Sequence, residues 1–189
     1  MKFPPKHERL LTKGLFKSLS DKENNLAIYD VKFPVETPLE NYISPDRIVE
    51  VLPFAVNGAG DIWGYLVAKL PEAPVTLFYH DDTIAEEQAS DIESFFVLQL
   101  IRDAIYGTNE THPGVPKGET REHILRMCDL LRPMFSPTSM QHLLDLKNTV
   151  EQAPENYNIH PLDEQSGEQL IKSLQPQNQI FDTYDWQDF

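Results

Sequence analysis

The chain has 189 residues, with 30 acidic against 16 basic side chains, a formal net charge of -14 and 40% hydrophobic residues. That apolar content suits one sizeable core and excludes a disordered chain, while the excess of anionic charge argues against direct contact with nucleic-acid phosphates or anionic lipid headgroups. No run approaches the roughly 18 apolar residues of a membrane span, and MKFPPKHERLLTKG lacks the apolar stretch of a secretory signal, so a cytoplasmic protein is expected.

The first expected element is a short amphipathic helix over residues 8–19, where Leu11, Leu15, Phe16 and Leu19 fall at helical spacing despite Gly14. LAIYDVKF, residues 26–33, reads as a strand. Pro34, Pro38 and Pro45 then mark a connecting loop, because proline continues neither a helix nor a central strand.

RIVEVLPFAV, starting at Arg47, is rich in β-branched and aromatic residues and leads into Asn57-Gly58-Ala59-Gly60, a tight-turn signal. DIWGYLVAKL forms the second arm of this hairpin, and PVTLFYH, after a turn at Pro71-Glu72-Ala73-Pro74, supplies a third strand. The expected result is an antiparallel meander. Ser90-Asp91-Ile92-Glu93 fits a capping box, predicting a helix from about Asp91 to Tyr106 with Gly107 as its stop. Helices are also predicted over residues 119–131 and 138–152, separated by Pro133 and Pro137, with Ser136 or Thr138 available as caps.

The fold class expected from these elements is α+β: an antiparallel meander packed with helices in one domain over residues 1–150, with additional C-terminal helices. Residues 151–189 read as an acidic C-terminal extension, helical near residues 163–174 or partly disordered, holding eight acids against Lys172 alone. Its ending, IFDTYDWQDF, alternates aromatics with acids and is suited to docking on its own domain or on a partner.

Motifs of catalysis are missing. There is no G-x-S-x-G nucleophile elbow, no phosphate-binding loop and no H-E-x-x-H pair. The G-x-G of residues 58–60 joins two strands and leads into no helix that could hold a phosphate. His80-Asp81-Asp82 has the chemistry of a metal ligand set, but adjacent residues at a strand end are not expected to converge on one ion. The remaining histidines, including His7, His123 and His142, read as scattered surface or capping groups, and Cys128, the single cysteine, as a buried inert thiol. A non-catalytic protein without cofactor or metal is therefore expected.

Charge is unevenly placed. Residues 81–93 carry six acids, Asp81, Asp82, Glu86, Glu87, Asp91 and Glu93, and no base. These six, with Tyr184, Asp185 and Trp186 of the tail, are the candidate partner-binding residues, since an acidic surface steers and orients a basic protein partner.

LPFAVNGAGDIWGYLV (52–67), VTLFYHDD (75–82) and DIESFFVLQL (91–100), in that order, resemble the SMI1/KNR4, or SUKH, superfamily. Pro53, Phe54, Gly58, Gly60, Asp61, Trp63, Phe95 and Phe96 carry the resemblance as structural motif residues. It implies an α+β fold with a central antiparallel sheet. It also implies work by protein binding, most directly as a bacterial immunity protein that neutralises a polymorphic or contact-dependent toxin such as a basic nuclease. A regulatory or scaffolding module, as in the fungal members that control cell-wall glucan synthesis, is the alternative.

Overall fold

The computed structural model describes residues 2–20, 31, 49–107, 119–154, 157–172, 174 and 180–182. Two short helices, α1 (Pro5–Thr12) and α2 (Leu15–Ser20), stand where one helix was expected. Gly14 separates them with φ +77°, a left-handed conformation that ends a helix and that a residue with a Cβ adopts at a cost. The predicted strand at residues 26–33 and its proline-rich loop lie outside the described residues, except Val31, which forms an isolated bridge.

Strands β1 (Val51–Val56), β2 (Ile62–Leu66), β3 (Val75–Phe78), β4 (Ile84–Ala89) and β5 (Ile180–Asp182) form one antiparallel sheet in the order β1-β2-β3-β4-β5. The chain is thus a mixed α and β protein with the antiparallel sheet expected from its sequence. The second hairpin arm is shorter than predicted: β2 ends at Leu66 and a 3₁₀ turn, Val67–Lys69, follows. Pro53 lies on the edge strand β1, beside a register shift between Pro53 and Ala55, where its missing N–H costs the sheet little.

β4 is the element that sequence patterning hid. IAEEQA places two acids side by side, which reads as a solvated run, but in a strand they point to opposite faces. Glu86 pairs with Leu77 and Glu87 with Thr76, so each acid joins a different side of the sheet.

Helix α3 (Ile92–Tyr106) is the centre of the molecule, with Phe95, Phe96, Leu98, Leu100 and Ala104 fully buried. Trp63 and Phe54 meet it from the sheet, their rings 4.8 and 5.8 Å from that of Phe95. Helices α4 (Thr120–Leu131) and α5 (Pro137–Gln152) add Ile124, Met127, Leu131, Leu143 and Leu146 to the same core. On the opposite sheet face Ile62, Phe78 and Ala85, cross-strand neighbours, form a smaller apolar cluster with Val49 and Val51.

The cap of α3 differs from the expected box. Asp91, not Ser90, is the N-cap residue: its Oδ1 accepts the N–H groups of Glu93 at 2.9 Å and Ser94 at 3.0 Å. Glu93 is thereby released from reciprocal capping and turns inward. Ser136 stands at the N-cap position of α5, but its hydroxyl donates to Glu93 Oε2 at 2.6 Å instead of capping its own helix.

Helix α6 (Glu164–Lys172), within the acidic C-terminal stretch, packs on α3 by placing Gly167 against Ile105. Leu162 and Leu174 are buried in the main core, and the Leu162 N–H donates to the Ala104 carbonyl at 3.1 Å. Further on, β5 pairs Ile180 with Glu86, Phe181 with Ala85 and Asp182 with Ile84. Tyr184, Asp185 and Trp186 lie outside the described residues.

Candidate functional site at the acidic end of the sheet

The turn joining β1 to β2 is organised by one side chain. Asn57 Oδ1 accepts the N–H groups of Ala59, Gly60 and Asp61 at 3.0, 2.9 and 2.8 Å. Gly60 carries the turn through φ +104°, a conformation that disfavours any side chain. Asn57 Nδ2 then donates to Asp61 Oδ2 at 2.7 Å, which fixes the orientation of a carboxylate that is only 6% exposed.

The second oxygen of Asp61 reaches the turn that follows β3. Its Oδ1 accepts the His80 backbone N–H at 2.9 Å and lies 2.7 Å from His80 Nδ1. Asp81 Oδ1 stands 3.9 Å from the same ring nitrogen. Asp82 bends the chain toward β4, its Oδ1 accepting the Thr83 N–H at 2.6 Å. Beside them the Tyr79 hydroxyl donates to Glu86 Oε2 at 3.2 Å.

The electrostatics follow from this geometry. Burial alone would raise the pKa of Asp61, but hydrogen bonds from the His80 backbone and ring and from Asn57 bring it below the ordinary carboxylate value. His80 moves the opposite way, raised by its hydrogen bond to Asp61 and by the nearby charge of Asp81. Burial and the adjacent Glu86 carboxylate raise Tyr79, which also feels Asp61, so it stays a neutral donor.

The six acids of residues 81–93 do not share one face. Asp81 and Asp82 are exposed on the β3–β4 turn and Glu86 is partly exposed beside it. Glu87 is buried and forms an ion pair with Lys69. Asp91, part-buried, caps α3 and pairs with Lys6 at 2.5 Å. Glu93 is fully buried and held by Arg9 and Ser136. Glu87 and Glu93 are therefore removed from the expected docking face, because their charges are spent on internal partners and no partner protein can reach them.

Sequence reading treated Asp61 only as a motif residue and considered His80 beside its chain neighbours. The tertiary partner of His80 comes from the other hairpin, 19 positions away, and the cross-strand neighbours Ile62 and Phe78 bring the two together. His7 and His123 also correct the expectation of surface or capping histidines, since both are buried. The His7 ring is stacked between Phe3 and Phe16, at 4.1 and 4.6 Å, and its Nδ1 lies 2.9 Å from the Tyr65 hydroxyl. The signal available in sequence was the pair of aromatics near His7, Phe3 before α1 and Phe16 on α2, whose rings stack on it once the chain has turned at Gly14.

No protein-family model, no curated protein and no solved structure matches the chain.

Proposed function

We propose that this chain is a non-catalytic, cytoplasmic protein-binding domain of the SUKH type, and that it acts as an immunity protein that binds and neutralises a basic toxin, a nuclease being the chemistry that fits best. The observation that carries the reading is the exposed Asp81-Asp82 turn. Among the described residues neither carboxylate pairs with a lysine or arginine, whereas Lys6, Arg9, Lys69 and Lys147 are all engaged by acids of their own chain. Internal pairing of these bases leaves unneutralised carboxylates at one end of the sheet in a chain of net charge -14.

Such a surface complements the cationic cleft with which a nuclease holds its substrate, and steering by opposite charge raises the rate of encounter. The order of the motif-bearing segments, hairpin then aromatic strand then helix, supports the same family reading.

The test is binding of the purified chain to the toxin product of the gene adjoining its own, at about 50 mM and about 300 mM salt, because the Debye length shrinks across that range. The expected result is protection of cells expressing the toxin and an association rate that falls with salt. Reversing charge with Asp81→Lys and Asp82→Lys should slow association by roughly tenfold while dissociation changes less. Absence of both binding and protection would refute the proposal, and tight binding indifferent to both lysines would move the contact away from this turn.

A further inference from the structure

One ligand atom from each of Asp61, His80 and Asp81 lies within 4.8 Å of the other two, the three brought together from two hairpins. We propose that these three groups form a binding site for a divalent transition-metal ion of the zinc type, a site that shares Asp81 with the docking turn but does not rest on the protein-binding reading.

The donor set has the right chemistry. One imidazole nitrogen with two carboxylate oxygens is a zinc-type combination, and three protein ligands leave a fourth position for water. Magnesium and calcium prefer an all-oxygen shell and would bind less well.

The geometry needs small adjustments. Ligand bonds of about 2.0–2.2 Å around a tetrahedral ion separate the ligand atoms by about 3.3 Å. The 2.7 Å between Asp61 and His80 must open by about 0.6 Å, the 3.9 Å between His80 and Asp81 must close by about as much, and Asp81 must also draw in toward Asp61 from within 4.8 Å. Asp81 can supply that movement because its side chain is 76% exposed on a turn.

Asp61 provides the fixed part. Its other oxygen is already held by Asn57 at 2.7 Å, the outer-shell support that orients a liganding carboxylate. On binding, His80 Nδ1 exchanges its contact to Asp61 for the ion and the ring proton resides on Nε2. The two carboxylates and the neutral imidazole together carry the charge of -2 that a divalent cation neutralises.

Calorimetric titration of the full chain with zinc salt alone, in a buffer that does not chelate, tests the site, with cobalt absorbance as a second readout of ligand number. One saturable zinc site per chain is expected, with affinity lowered by roughly a hundredfold in His80→Ala and by roughly tenfold in Asp81→Asn. His142→Ala, on α5, should leave it unchanged. The exposed positions of His80 and Asp81 let both variants fold, which circular dichroism verifies. The proposal is overturned by the lack of saturable zinc binding, by unchanged affinity in His80→Ala, or by magnesium binding as tightly as zinc, which would indicate diffuse attraction to acids.

Discussion

The fully buried carboxylate of Glu93 is held by Arg9, whose guanidinium donates from Nη2 to its Oε1. The other oxygen accepts the Ser136 hydroxyl at 2.6 Å and the Ser136 N–H at 3.2 Å. A single charge thus joins α1, α3 and the start of α5.

Glu93→Gln keeps the shape but removes the charge, leaving Arg9 without its counter-ion. Loss of one partner from a buried pair costs about 3–5 kcal/mol, and since Arg9 is partly exposed a loss of about 2–3 kcal/mol is expected. Urea unfolding measures it, and a change below about 1 kcal/mol would mean that water already screens the pair.

His7 gives stability a definite pH dependence. Burial between aromatic rings lowers its pKa to about 3, so the folded chain keeps it neutral while the unfolded chain protonates it near the ordinary value of 6.5. Between those two values the unfolded state binds the extra proton. Stability therefore falls as pH drops below about 6.5, with a slope approaching 1.4 kcal/mol per unit. His7→Phe preserves the ring stack and removes the titration. The difference in unfolding free energy between the two proteins should shift by about 1 kcal/mol between pH 6.5 and 5.5; parallel pH profiles would place the His7 proton in the folded state as well.

Gly167 is a packing position. A Cβ added there would lie 2.3 Å from Ile105 Cδ1 and 2.6 Å from its Cγ1, so α6 can approach α3 only without a side chain. Gly167→Ala gains about 1 kcal/mol of helix propensity but meets an overpacking cost of about 1–3 kcal/mol. The net effect should be destabilising, and combining it with Ile105→Val, which removes Cδ1, should recover part of the loss. A double-mutant cycle by thermal unfolding reads this coupling, and strict additivity would exclude the contact.

Cys128 is 2% exposed and burial pushes its thiol up to about 12, with Asp129 adding to the shift. The thiolate is the reactive form, so the folded chain should resist a thiol reagent near neutral pH and react only on unfolding. Labelling followed by mass spectrometry should give a rate that rises in step with the unfolded fraction; rapid labelling of the native protein would show local opening of α4.

The strongest local patterns decided much of the fold. Segments rich in aromatic and β-branched residues around an Asn-Gly turn gave β1 and β2 their places, and the predicted helices lie within a residue or two of α3, α4 and α5. Phe95, Phe96 and Trp63 take core positions, since large apolar side chains have few other places to go. Local pattern failed at β4, because Glu86 and Glu87 look alike in sequence and are separated only when neighbouring strands define two faces. It failed again at Ser90, where two good capping residues are adjacent and the competition is settled by what Glu93 meets in the interior.

By itself the sequence determined the class of the protein: an acidic chain with one apolar core, an antiparallel hairpin and helices whose periodicities are properties of neighbouring residues. Only the tertiary structure decided which charges remain available. Pairing energies depend on distance and on exclusion of water, and neither is written in the spacing along the chain. Glu93 and Glu87 were drawn inward by Arg9 and Lys69, from 84 and 18 positions away, while Asp61 was delivered to His80 across a β-sheet. Asp81 and Asp82 were left exposed on their turn, with no lysine or arginine supplied to either among the described residues.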